Sequence, residues 1–221
     1  MLYAKMNEAA WSGASGEVID ASGNGNHGTA VNGATPTTGL FGNAGLFDHS
    51  IDNYVDFGAD DSLYPTSQVT IAAWVNPSNA FDNLTIGGAW GHDNLSENSY
   101  VLYSGQDAAN DSLGFYIQQA DGSLVFIFPA DNAHLVANSW QHVAAVADGS
   151  MLRIYYNSVD SGYSVPYDGT LQHVTKSNVV IGALIEAGTY GWGGMIDELR
   201  IYNRGLSASE IQQLYDFVPS A

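Results

Sequence analysis

The stretch Asp20-Ala21-Ser22-Gly23-Asn24-Gly25-Asn26-His27-Gly28 sets oxygen-bearing side chains at alternate positions, between glycines that let the backbone fold tightly. Hard cations such as Ca²⁺ take about six to eight oxygen ligands from carboxylates, amides and carbonyls. Asp20, Ser22 and Asn24 match the first, third and fifth positions of an EF-hand calcium loop, and Gly25 the invariant glycine after them. The bidentate glutamate that closes such a loop is replaced by Val31, so the EF-hand reading fails. Either a carboxylate arrives from elsewhere in the chain, or the loop is a side-chain-bonded Asx turn without metal.

Other chemistry is poorly provided for. Glycoside hydrolysis needs two carboxylates flanking the bond, about 5 to 9 Å apart. No two glutamates lie at strand spacing, and Asp197 and Glu198 are neighbours that a regular strand sends to opposite faces. There is no cysteine, no Gly-x-Ser-x-Gly elbow and no His-x-x-x-His pair. No catalytic residue is assigned, and His142 is expected to be a sheet residue with a satisfied ring. Sugar recognition, by contrast, uses aromatic faces with a few convergent polar groups. Trp90 with His92 and Asp93, Tyr190 with Trp192, and Tyr100, Tyr103 and Tyr116 on a concave sheet are the candidates. The competing reading makes Trp90 and Trp192 packing residues. Trp74 and Trp140 are expected in the core, and Trp11 sits in an early loop without an assigned role.

The elements that must position these residues are strands. Alternating apolar runs occur at 69–76, 99–103, 113–118, 124–128, 140–146, 151–156, 179–182 and 195–202. Asp121-Gly122, Asp148-Gly149 and Asp168-Gly169 punctuate them. Many short strands without intervening helices indicate a two-sheet sandwich or jelly roll. One helix is expected near the C-terminus. Ser207 and Glu210 have capping-box spacing, and Ile211, Leu214 and Tyr215 share a face. It is expected to lie as a lid on one end of the sandwich. No repeat or linker divides residues 1–221, which are taken as one domain.

The chain has 221 residues, 45% of them hydrophobic, enough for a sizeable core. It carries 23 acidic and 5 basic residues, a formal net charge of −18. That field repels nucleic acid and anionic membranes, and no run of 18 apolar residues spans a bilayer. The bulk of the acidity is expected to serve surface solubility or salt adaptation. The absence of cysteine excludes disulfides and leaves the compartment open.

Several motifs follow one another in a specific order. Leu2 to Met6 precede Glu17-Val18-Ile19-Asp20 and the glycine-rich loop; Gly45-Leu46-Phe47-Asp48 and Asn53-Tyr54-Val55-Asp56-Phe57 come next. Ile71-Ala72-Ala73-Trp74-Val75-Asn76-Pro77, Trp140-Gln141-His142-Val143-Ala144 and Gly193-Gly194-Met195-Ile196-Asp197-Glu198-Leu199-Arg200-Ile201-Tyr202 complete the series. Over nearly its whole length the chain resembles the bacterial laminin G-like jelly rolls of the concanavalin A-like lectin/glucanase superfamily. The resemblance implies two antiparallel sheets with the first and last strands adjacent. It further implies a structural Ca²⁺ held by Asp20, Asn24, Asn26, His27 and Asp197. The expected function is a non-catalytic, calcium-stabilised recognition module for a glycan, monomeric by default, in a secreted or cell-surface protein. The alternatives are an adhesion module with a cell-surface protein partner and a glucanase-like hydrolase.

Overall fold

The computed structural model of the chain describes residues 1–78, 84–91, 97–105, 112–129, 135–174, 177–184 and 190–217. The strands, in chain order, begin with β1 (Leu2–Ala4), β2 (Thr29–Val31), β3 (Thr35–Thr38), β4 (Asn43–Phe47), β5 (Tyr54–Asp56), β6 (Val69–Pro77), β7 (Leu84–Ala89) and β8 (Tyr100–Ser104). They continue with β9 (Leu113–Gln118), β10 (Leu124–Ile127), β11 (Gln141–Ala147), β12 (Met151–Tyr156), β13 (Val159–Pro166), β14 (Val179–Ile181) and β15 (Gly194–Tyr202). The helix α1 spans Ala208–Tyr215.

These strands form two antiparallel sheets packed as a sandwich. One has eight strands in the order β13-β12-β11-β6-β15-β4-β3, with β1 also on β15; the other has seven in the order β10-β9-β8-β7-β14-β5-β2. The first and last strands are adjacent, with Leu2 opposite Ile201 and Ala4 opposite Leu199. Period-two alternation explains the core. In β8 and β9, Tyr100, Leu102, Phe115 and Ile117 face inward, and Ile71, Ala73, Val75, Val143 and Ala145 meet them from β6 and β11. Burial at roughly 25 cal/mol per Å² of apolar surface is the main stabilising term.

The expected strands are present at the positions read from the sequence. Six more, β2, β3, β4, β5, β7 and β13, fall outside the alternating runs, and of these β7 and β13 lack a clean alternating signature. β13 runs Val-Asp-Ser-Gly-Tyr-Ser-Val-Pro along an exposed edge, and β7 is interrupted by Gly87 and Gly88. At Gly88 an added Cβ would lie 2.3 Å from the Tyr100 carbonyl oxygen, so β7 and β8 approach closely only because this residue has no side chain.

The helix has the expected capping box, with the Ser207 side chain accepting from Glu210 N and the Glu210 carboxylate accepting from Ser207 N at 2.9 Å. Its place differs from the expectation. Ile211 packs with Ala72, Ala144, Val146 and Tyr155, so α1 lies on the outer face of the eight-stranded sheet rather than on an end of the sandwich. The alanines there leave a shallow surface into which an amphipathic helix fits.

Candidate functional site

The Asp20 loop folds onto the first strand. The Asp20 carboxylate is buried and accepts four hydrogen bonds: Tyr3 N at 3.0 Å, Ser22 N and Oγ each at 2.8 Å, and Asn26 N at 3.0 Å. Burial pushes its pKa up, but the donated hydrogen bonds outweigh this and hold it below the usual carboxylate range. Asn24 and Asn26 each donate an amide N–H to the Met1 carbonyl. The His27 Nδ1 accepts from Asp20 N at 3.0 Å. Asp197 has other partners: its Oδ2 accepts from Leu40 N and Phe41 N, both at 3.0 Å. Asp20 bridges Ala4 on the far side of β1 from β15. Its strand position is therefore two strand spacings, about 10 Å, from Leu199, and Asp197 lies further along β15, beyond the bulge. The two carboxylates share no partner, and among the described residues no three His, Asp or Glu side chains gather as a metal-holding group. The residues do not fit one cation held jointly by Asp20 and Asp197.

The loop's spacing is also not unique. In Asp48-x-Ser50, Asp60-x-Ser62, Asp121-x-Ser123, Asp148-x-Ser150 and Asp168-x-Thr170, each aspartate accepts the N–H two residues on, at 2.8 to 2.9 Å. Asp20 to Ser22 repeats this geometry at 2.8 Å. The Asx turn is thus a recurrent device of this chain, and it employs a good part of its acidity.

The outer face of the eight-stranded sheet holds a buried ionic cluster. A β-bulge between Asp197 and Arg200 places Glu198 at φ +52°. Because of this bulge the simple alternation expected for Asp197 and Glu198 fails. Asp197 lies opposite Trp74, Arg200 opposite Ala72, and Glu198 turns to the same outer side. Arg200 donates to Glu198 Oε2 and to the Tyr3 hydroxyl, both at 2.8 Å, and Tyr3 donates in turn to Glu198. The guanidinium is sandwiched between the Tyr3 ring at 4.1 Å and the Phe217 ring at 4.7 Å. Trp74, expected in the core, instead stands on this outer face and stacks on Tyr215 at 5.4 Å. Trp140 is likewise half-buried rather than core. The His142 ring packs edge-on against Trp74, and its Nδ1 has no hydrogen-bond partner among the described residues, contrary to the satisfied ring expected. Burial lowers the His142 pKa to about 4 and raises that of Asp197 to about 7. The cavity enclosed here is about 10 Å³, room for roughly one water.

The outer face of the seven-stranded sheet is aromatic. Tyr116 of β9 lies between Val101 of β8 and Phe126 of β10. Its ring centroid is 5.0 Å from Tyr103, 5.1 Å from Phe126, 5.3 Å from Phe128 and 5.8 Å from Trp90. Tyr190 and Leu184 complete the cluster. The cluster ranges from nearly closed to open, with Trp90 8%, Tyr116 9% and Phe126 47% exposed. Gly114 makes room for this packing, since a Cβ there would sit 2.0 Å from the Phe128 ring.

Of the ligand-binding residues expected from sequence, the structure brings Trp90, Tyr116 and Tyr190 together on this face. Two of them need correction. Tyr100 and Trp192 are 0% exposed core residues, Tyr100 with its hydroxyl on the Leu63 carbonyl, so neither can touch a ligand. Alternation explains Tyr100, which points opposite to Val101 and Tyr103. His92 and Asp93 lie outside the described residues. Sequence reasoning passed over Phe126 and Phe128 as ligand contacts. Their signal is in Leu124-Val125-Phe126-Ile127-Phe128, which is apolar in both phases of the strand and therefore apolar on the outer face too.

A laminin G family model, described as the concanavalin A-like lectin/glucanases superfamily, matches residues 48–212. No curated protein matches. Among solved structures, domain 4 of AbnA, a GH43 extracellular arabinanase from Geobacillus stearothermophilus in complex with arabinotriose, aligns with a TM-score of 0.69 and 17% identity, over 89% of this chain and 91% of that one. The binding domain of Paraclostridial Mosquitocidal Protein 1 aligns with a TM-score of 0.69 and 14% identity, over 97% of this chain and 52% of that one. The binding domain of botulinum neurotoxin DC, in complex with rat synaptotagmin II, aligns with a TM-score of 0.61 and 13% identity, over 94% and 50%. The chain thus spans about half of each toxin binding domain. At these identities the shared property is the fold.

Proposed function

The chain belongs to the concanavalin A-like lectin/glucanases superfamily, and on that premise we propose that it is a non-catalytic carbohydrate-recognition module working outside the cell. One observation carries the proposal: a contiguous aromatic face, Trp90, Tyr103, Tyr116, Phe126, Phe128 and Tyr190, on the side of a sheet turned away from the core. Apolar surface of this kind, left partly open on a protein of net charge −18, marks a contact site. Aromatic faces suit the apolar C–H faces of sugar rings, and the surrounding negative field selects neutral over anionic glycans. The arabinotriose complex of the similarly folded arabinanase domain supports a sugar ligand for this fold, and the same enzyme's extracellular character supports a secreted setting.

A non-catalytic role fits the carboxylates. Asp20 is spent on the N-terminal turn, and Glu198 is paired with Arg200 and Tyr3 beside a cavity too small for a sugar. The second reading is a protein-binding module. It is supported by the botulinum neurotoxin DC binding domain, about half of which this chain matches and which was solved in complex with rat synaptotagmin II.

Titration with arabinotriose and with a panel of neutral glycans, by calorimetry, tests the proposal. Binding that falls tenfold or more in Phe126→Ala, with folding unchanged, supports it; about 1.4 kcal/mol corresponds to that factor. Absence of binding to every neutral glycan of the panel overturns it in favour of the protein-binding reading.

A further inference from the structure

Trp11 is half-buried, packs against the main core, and is firmly held at its polar end. Its indole Nε1 donates to Glu8 Oε2 at 3.0 Å, and the other oxygen of Glu8 accepts from Ile19 N at 2.9 Å. The turn that follows is held by Glu17, whose carboxylate accepts from Ser12 N at 2.6 Å, Ser12 Oγ at 3.0 Å and Gly13 N at 2.7 Å. Two glutamates are thus committed to fixing one half-buried tryptophan and its turn.

The held indole lines a cleft of about 380 Å³, within the size range of small-ligand pockets. Ser12, Asn32 and Thr35 supply hydroxyl and amide groups to its wall. The opposite wall is the turn between β2 and β3, where Asn32 and Gly33 have φ of +52° and +82°. Two consecutive positive φ values are what a tight primed hairpin-type turn requires. The Asn32 side chain ties that turn back to the Asp52 carbonyl at 3.2 Å.

We propose that this cleft is a second sugar-binding site, taking the end of a neutral oligosaccharide against the Trp11 indole. The chemistry is that of an aromatic wall with uncharged hydroxyl-reading groups. Glu8 and Glu17 add negative field, which disfavours anions, and their oxygens are engaged by internal donors. The site is separate from the aromatic face. β2 and β9 are five strand steps apart in the seven-stranded sheet, or about 24 Å at strand spacing. The two sites lie toward opposite edges of the sandwich, and this one stands even if the aromatic face binds protein rather than sugar.

The test follows the Trp11 indole N–H signal of ¹⁵N-labelled protein during titration with arabinotriose, cellotriose and maltotriose, with Trp11→Phe to identify the signal. A saturable shift with at least one of these, at a Kd of roughly 1–10 mM, is expected. It is expected to persist in Phe126→Ala and to weaken at least about threefold in Asn32→Gly, which keeps the positive φ while removing the amide. No shift with any of the three sugars overturns the proposal. So does a shift that Phe126→Ala abolishes or that Asn32→Gly leaves unchanged.

Discussion

The two outer faces of the sandwich are built on similar antiparallel sheets and end in opposite chemistry. On the outer face of the seven-stranded sheet the apolar side chains are mostly rings, graded from nearly buried Trp90, just after β7, to half-exposed Phe126 of β10. On the eight-stranded sheet the outward side chains of β15 are charged, and α1 with Phe217 closes over them. An open apolar face loses free energy to water and gains it back on meeting a ligand. A closed ionic face can meet no ligand, and its contribution is to fix one arrangement of strand, helix and N-terminus. The fold permits either; the side chains of one face of each sheet decide which is the recognition surface.

The sharpest way to break this contrast is to unpair the closed face. Glu198→Ala leaves the Arg200 guanidinium buried with the Tyr3 hydroxyl and two rings as partners. Removing one member of a buried pair typically costs about 3–5 kcal/mol. Chemical denaturation is expected to show a loss in that range, while glycan affinity of the folded fraction stays within about twofold. A loss below about 1 kcal/mol would mean that the cluster is solvated and that the faces differ less than described.

The next effect is in pH. Burial raises Asp197 to about 7 in the fold, against about 3.9 unfolded. The folded state therefore holds this proton more tightly, so its contribution is full below about pH 4 and is lost as pH rises through about 7. Asp48, Asp60 and Asp121 act oppositely. Hydrogen bonds from Ser50, Ser62 and Ser123 hold them below the usual carboxylate range, so their contribution is present above about pH 4 and is lost as pH falls through their folded values. His142 acts with these aspartates: burial lowers it to about 4 in the fold against about 6.5 unfolded, so its contribution grows over about pH 4–6.5 and offsets most of the decline from Asp197. In Asp197→Asn that rise is left unopposed, and urea titrations at several pH values are expected to show stability increasing more steeply from about pH 4 to 7 than in the parent protein. An unchanged pH profile would show that Asp197 is already ionised in the fold.

The sequence made the sandwich legible because period-two alternation survives wherever a strand has one buried face, as in β6, β11 and β12. It lost β7, where glycines replace side chains to let backbones approach, and β13, an edge with little to bury. The site was half legible. Tyr116 and Tyr190 are where aromatic content and strand phase put them, whereas Trp192 has the same composition around it and is core. A strand pattern gives the phase of a residue relative to its neighbours; which phase faces the core depends on the other sheet. The Asp20 loop is ambiguous for a related reason. Alternate oxygen-bearing residues serve a cation or a backbone turn equally well, and the same Asp-x-Ser spacing, with Thr in one, forms Asx turns at five other places in the chain. The bulge at Glu198 left no trace, since nothing in Ile-Asp-Glu-Leu-Arg-Ile marks a non-glycine residue at positive φ.

A smaller perturbation sharpens the open face. In Gly114→Ala the new Cβ must displace the Phe128 ring. Overpacking of this kind costs about 1–2 kcal/mol. The expected signature is a larger loss in glycan binding than the stability loss alone would produce, because Phe128 leaves its contact with Tyr116 and Tyr103. If affinity is unchanged, the aromatic cluster is packing and the ligand binds elsewhere.

The mildest prediction concerns the closure itself. Ser207 caps α1 by accepting from Glu210 N and, through the reciprocal bond from its own N–H, holds the Glu210 carboxylate down to about 2. Replacing it with alanine removes one cap, worth about 1 kcal/mol. Because α1 is only eight residues long, it cannot hold its structure by backbone hydrogen bonds alone and depends on Ile211 and Tyr215 docking on the sheet. The cost of the lost cap is therefore expected as fraying of the helix, not as global unfolding. Hydrogen exchange is expected to accelerate several-fold in α1 and at Arg200, with β8, β9 and β10 unaffected. Equal acceleration on both sheets would show that the helix supports the whole sandwich; a change confined to one face would show that the closed cluster is an independent unit of stability, with the aromatic face rigid without it.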